Sequence, residues 1–131
     1  MSDFTKINIL EDVEDVALKF GMAPNLESRL ARKTLGLEKQ GVSLFKVAPG
    51  FRVPFGHKHE QQEEVYIVVS GSARIKLDDE IVELRQWDAV RVPGHVMRAF
   101  EGGPEGAQII ATGAPDTNNA DAEMVPGWWQ D

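Results

Sequence analysis

The spacing of apolar positions changes near residue 42. Before it, Leu10, Val13, Val16, Ala17 and Phe20 fall three or four residues apart, the spacing that lines one face of a helix. Gly21 follows as a stop, and Asn8 with Glu11 has the form of a capping box ahead of the run. A short helix or helical turn is therefore expected over Leu10–Phe20. Residues 23–40 read two ways. Leu26, Leu30 and Leu37 suit a helix, and Arg29–Leu35 suits a strand equally well.

After residue 42 the pattern is that of strands. Val42–Val47 is one, closed by Pro49-Gly50. Glu64–Ser70 holds a solid block of β-branched and aromatic residues and is expected to end at Gly71. In Ser72–Leu77 the residues Ala73, Ile75 and Leu77 face one way, and Ser72, Arg74 and Lys76 the other. Asp78-Asp79-Glu80 reads as a hairpin turn into Ile81–Leu84, and Ala89–Val92, Val96–Glu101 and Ala107–Thr112 follow as further strands. Gly102-Gly103-Pro104-Glu105-Gly106 reads as a turn of its own. Beyond Gly113 the chain becomes polar at Asp116-Thr117-Asn118-Asn119 and then apolar again from Met124 to Trp129. Short strands between turn signals indicate an all-β sandwich or closed barrel rather than an α/β fold. A length of 131 residues suits a single domain over 1–131.

Composition removes several classes of function. There is no cysteine, so disulfides, thiolate metal sites and thiol nucleophiles are ruled out. The net charge is −7 and the basic residues form no run, which disfavours a nucleic-acid partner. No apolar run approaches the length of a membrane span, and no signal-peptide pattern opens the chain. A cytoplasmic location is expected.

Two of the three histidines are His57 and His59. On an extended segment, residues two apart share a face, so both imidazoles can address one divalent ion, with Glu64 adding a carboxylate from the next strand. Two histidines and a carboxylate suit Fe(II), and also Mn, Ni or Zn. A bare His-x-His also arises by chance as surface decoration. Here its surroundings matter. The run from Gly50 to Gly71 places four residues between His59 and Glu64 and six between Glu64 and Gly71. It resembles the first motif of the cupin superfamily, although its leading glycine stands one residue early. The resemblance extends over about residues 42–112. It implies a double-stranded β-helix, or jelly-roll, barrel with a short N-terminal arm, and it carries His57, His59 and Glu64 over as metal ligands.

The second motif of that family departs from the pattern. Aligned on Pro93, its first glycine falls on Trp87, its second on His95, and its histidine, the usual fourth ligand, on Arg98. Sliding by one residue to use Gly94 places Met97 there instead, and neither frame supplies a histidine. His95 reaches the site only if its loop is remodelled; otherwise it is an exposed loop residue. A guanidinium cannot ligate a metal. Arg98 shares strand parity with Val96 and Phe100, so it points inward unless a bend sends it to the surface. Inside a barrel it needs a carboxylate such as Glu64, or an anionic ligand. Tyr66 has the parity of Glu64 and either lines the cavity or fills the core, whereas Glu63 and Lys58 should face away. Trp128 and Trp129 read as a tail packed on its own barrel or as a dimer contact.

Two functions follow. One is a module that binds a small anionic molecule at the His57/His59/Glu64 site, with Arg98 and Tyr66 as ligand-binding candidates and metal weakly held or absent. The other is a metal-dependent enzyme, an oxygenase, isomerase or lyase, acting on a small organic acid. A homodimer is expected in either case.

Overall fold

The computed structural model describes residues 3–117 and 120–130; of the polar stretch after Gly113, Asn118 and Asn119 lie outside the described residues. The strands are β1 (Leu26–Leu30), β2 (Gly41–Val47), β3 (Phe55–His59), β4 (Glu63–Leu77), β5 (Glu80–Leu84), β6 (Ala89–Val92), β7 (Arg98–Ala114) and β8 (Ala122–Pro126). Short helices α1 (Ile9–Asp12) and α2 (Arg32–Leu35) and a 3-10 turn (Val16–Phe20) complete the chain.

Two long strands form the spine. β4 and β7 pair antiparallel from Glu63 opposite Ala114 to Leu77 opposite Arg98. The far part of β7 carries β2 and then β1, while its beginning meets β3, which in turn pairs with β8. β5 and β6 line the free edge of β4. The sheet thus curls into the double-stranded β-helix barrel that the family resemblance implied. Its core is filled by Tyr66, Val68, Ile75, Val92 and Ile109, all at most 1% exposed. Ala73 and Ile75 point inward, as the alternation in Ser72–Leu77 required.

Three expectations need correction. Glu64–Ser70 and Ser72–Leu77 are one strand, and so are the segments read as ending at Glu101 and beginning at Ala107. Gly71 ends nothing. It sits at φ +73° between two register shifts in β4, opposite Ala107 and close against Gly106, itself at φ +76°, in β7. A Cβ on Gly71 would lie 2.0 Å from the Gly106 carbonyl oxygen. The glycines therefore mark a bulge, where a long strand bends and continues. The second correction concerns Leu10–Phe20, which is not one helix. After α1 the chain extends at Val13, and Asp15 bridges to Arg29 before the 3-10 turn begins. The Asp15 carboxylate accepts from Ala17 N and Ser28 N, so it caps the turn and ties it to β1. Asn8 does cap α1, but the reciprocal acceptor is Asp12 rather than Glu11. Third, the ambiguous Arg29–Leu35 divides between the end of β1 and α2.

Among the described residues no helix is long and apolar enough to cross a membrane.

Candidate functional site

The site forms where β3, the start of β4 and the start of β7 meet. Arg98 opens β7 with His57 of β3 on one side and Leu77 of β4 on the other. β3 is held in place by β8, so His57 stands opposite Met124 and His59 opposite Ala122. Period-two alternation sends His57 and His59 to the same face, and Lys58 to the other, where it meets Glu123 at 3.6 Å.

Four side chains converge on a single oxygen, Oε1 of Glu64. His57 Nε2 and His59 Nε2 each lie 3.3 Å away, Arg98 Nη1 donates at 3.0 Å, and the Tyr66 hydroxyl donates at 2.5 Å. Arg98 is fully buried and also donates from Nη2 to the Pro93 carbonyl at 2.8 Å, which leaves its buried Nε without a partner among the described residues. Tyr66 is equally buried and packs edge-on against Phe100 at 4.8 Å. It both lines the cavity and belongs to the core, so the two readings of this residue were not exclusive. His95 is exposed, and Glu63 turns outward to Arg91 at 3.2 Å.

The electrostatics follow from this crowding. Burial alone would raise the Glu64 pKa, but the hydrogen bonds from His57, His59 and Tyr66 outweigh it and hold the carboxyl well below the usual carboxylate range. Burial lowers the pKa of His57, and Glu64 only partly offsets it, which favours the neutral imidazole that metal binding needs. Burial also pulls His59 down, but its bonds to Glu64 and Asp121 outweigh this and leave its pKa raised. Burial and the adjacent Glu64 charge push the Tyr66 phenol well above its ordinary value.

Asp121 was not anticipated from the sequence. Its Oδ1 lies 3.0 Å from His59 Nδ1 and accepts from the Thr117 hydroxyl at 2.5 Å, while Oδ2 accepts from the backbone N–H groups of Gln61 and Gln62. Only the pairing of β8 with β3 brings it there, 62 residues along the chain from His59. A buried carboxylate on the far nitrogen of a histidine fixes the ring and its tautomer.

His57, His59 and Glu64 offer ligand atoms that all lie within 4.8 Å of one another, the one such cluster found among the described residues. This donor set fits a divalent ion on three sides, and Asp121 supplies the outer carboxylate that such sites use. On the fourth side stands Arg98. The alignment on Pro93 is thus the frame that the geometry matches. Trp87, at the place of the motif's first glycine, has φ +74°, a backbone conformation glycine adopts more readily.

Above these residues lies a cavity of about 160 Å³ between the 3-10 turn and the barrel wall. His57, Tyr66 and Arg98 reach it from its floor, and the rest of its lining is almost wholly apolar.

The sequence pattern described as Cupin domain matches residues 43–110. Among solved structures, a cupin protein from Bacteroides fragilis is similar at 23% identity and TM-score 0.72, covering 89% of this chain and 88% of that one. Streptomyces Pac13, described as a unique nucleoside dehydratase, is similar at 21% identity and TM-score 0.71 over 94% of this chain and 93% of its own. KdgF from Halomonas sp. is similar at 22% identity and TM-score 0.67, covering 90% and 98%. These likenesses establish the fold. No curated protein sequence matches the chain.

Proposed function

This chain belongs to the cupin family, and from that premise we propose that it binds a small anionic molecule in the barrel, with Arg98 as the anchoring cation. The observation that carries this reading is the floor of the cavity. The polar groups that reach it are His57, Tyr66 and Arg98, whereas the carboxylate of Glu64 is turned away beneath them. Arg98 keeps one buried N–H without a partner among the described residues, and a buried donor without an acceptor is costly. Tyr66 and Arg98 Nη1 already donate to Glu64 and Arg98 Nη2 to Pro93, so Arg98 Nε is the donor left for a carboxylate or another oxyanion.

Charge counting supports the same reading. Glu64 and Asp121 carry two negative charges, and Arg98 carries one positive charge. A divalent ion held by His57, His59 and Glu64 would bring the cluster to a net charge of one positive, which an anionic ligand cancels. When bound, such an ion would act as a Lewis acid and fix an oxygen of the ligand. With the guanidinium at the fourth place it would be held weakly and exchange easily.

Titration calorimetry with small carboxylates tests the proposal. The wild type should bind them, and Arg98→Met should bind them at least about tenfold more weakly, a charge-assisted hydrogen bond being at stake. Affinity that is indifferent to the probe's charge, or to Arg98, would overturn the reading.

A second reading, a metal-dependent enzyme on a small organic acid, is favoured by the Asp121–His59 contact. The similarity in fold to a nucleoside dehydratase is compatible with it. Metal analysis of fresh protein separates the two: full occupancy supports the enzyme, and substoichiometric metal supports the binding module. A single domain, a homodimer and a cytoplasmic location complete the proposal; light scattering showing only monomer would remove the dimer.

A further inference from the structure

The cavity above Arg98 carries information about the rest of the ligand. Its walls are built by Phe20 and Met22 at the 3-10 turn and by Phe45, Val53, Phe55 and Phe100 from the barrel. Away from the floor, Ser28 is the one polar side chain among the described residues that line it. A ligand bearing several hydroxyls would leave them unpaired against this wall, and each unpaired buried polar group costs affinity. The wall therefore selects against polyhydroxylated bodies.

Size narrows the choice further. At about 160 Å³ the space is close to that of an apolar cavity of roughly 150 Å³ that takes up benzene. One six-membered ring fits such a space. Phe20 lines the cavity yet is 71% exposed, so the ring must enter past the 3-10 turn. That turn is fastened to β1 through Asp15, whose carboxylate accepts from both Ala17 N and Ser28 N. The wall is therefore a held part of the barrel mouth.

Resting on the anion-binding reading above, we propose that the cavity takes a monocyclic aromatic or alicyclic carboxylic acid, with its carboxylate toward Arg98 and its ring between the 3-10 turn and the barrel wall.

The test is titration calorimetry of the full chain with phenylacetate, cyclohexylacetate, acetate, gluconate and benzyl alcohol, each at up to millimolar concentration. Burying even one methylene in an apolar pocket changes affinity by about tenfold or more. Phenylacetate and cyclohexylacetate should therefore bind at least about tenfold more tightly than acetate or gluconate. Benzyl alcohol, which keeps the ring and lacks the charge, should also bind more weakly than phenylacetate. Gluconate binding as tightly as phenylacetate would overturn the ring and leave the anion reading standing. Benzyl alcohol binding as tightly as phenylacetate would overturn the anion reading and leave the apolar cavity standing. No binding of phenylacetate at all would overturn the proposal. Met22→Trp fills the cavity and should erase the preference for phenylacetate over acetate. Should that variant fail to fold, Phe20→Ala at the exposed mouth should weaken phenylacetate several-fold and leave acetate unchanged; equal loss for both acids would count against the ring site.

Discussion

Two arginine–carboxylate clusters hang on the same pair of strands, β4 and β7, one outside the barrel and one inside it. Outside, Arg74 of β4 stands directly opposite Glu101 of β7, and Arg52 bridges to Glu101 from the other side. Glu101 accepts from Arg74 Nη2 at 2.6 Å and from Arg52 Nε at 2.8 Å, and both guanidiniums lie over the Trp129 ring, at 4.3 Å for Arg52 and 5.5 Å for Arg74. Inside, the roles are exchanged, with the carboxylate on β4 and the arginine on β7. Glu64 stands opposite Gly113, at the other end of β7 from Arg98. The two meet only because the sheet curls. The outer cluster is a local product of strand register, whereas the inner one is a product of barrel closure.

Solvent makes the energetic consequences different. The Arg74 and Arg52 side chains keep 35% and 27% of their exposure, whereas Arg98 keeps none. Removing one partner of a buried pair strands the other charge, at a cost of about 3–5 kcal/mol. An exposed pair contributes about 0.2–1 kcal/mol. Arg98→Ala should therefore be the most damaging single change in either cluster, read as a lower urea midpoint in the metal-free protein. Nickel or manganese should restore much of the loss, because the ion replaces the missing positive charge beside Glu64. If Arg98→Ala melts like the wild type, the contrast between inside and outside is wrong.

Much of the inner cluster was legible in the chain. His57 and His59 two apart, Glu64 behind them and the frame anchored on Pro93 all carried through, because each is a local spacing that the strand period converts into a direction. The convergence of four side chains on one Glu64 oxygen was not legible, since it depends on closure. Asp121 was missed for the same reason: no local pattern says that β8 will pair with β3. Gly71 and Gly106 were misread as punctuation because a glycine that permits a bulge and one that ends a strand look alike in sequence. The Leu10–Phe20 periodicity is present, yet Asp15 leaves the helix to cap the 3-10 turn and bind β1.

Asp121→Asn probes the support beneath the inner cluster. It keeps the shape but weakens the grip on His59 Nδ1, and metal affinity should fall by about 10- to 100-fold. Calorimetry with manganese or nickel checks this, and an unchanged affinity would mean that β3 alone sets the ring. The outer cluster gives the smaller effects. Arg74→Ala should cost no more than about 1 kcal/mol and leave metal and carboxylate binding untouched. A larger loss would show that the clasp on Trp129 does more than the ion pair.

Acid sharpens the comparison at its weakest point. Burial raises the Glu101 pKa, but the hydrogen bonds and charges of Arg74 and Arg52 together outweigh it, so the folded value lies below the ordinary 4.5. A carboxyl depressed by folding contributes fully above its unfolded pKa and loses that contribution as pH falls through the folded one. Tryptophan fluorescence should therefore hold steady at neutral pH and report loosening of the Trp129 contact only below about pH 4. A change between pH 6 and 8 would point to another group.

The most direct test of the central claim, that Arg98 stands in the fourth ligand place and turns a metal site toward anions, is the Arg98→His variant. Manganese and nickel affinities of wild type and Arg98→His would be measured side by side by titration calorimetry. Supplying a fourth nitrogen and removing the guanidinium should tighten metal binding by at least about tenfold while weakening binding of small carboxylates in the absence of metal. A wild type that already binds the ion as tightly as Arg98→His would contradict it.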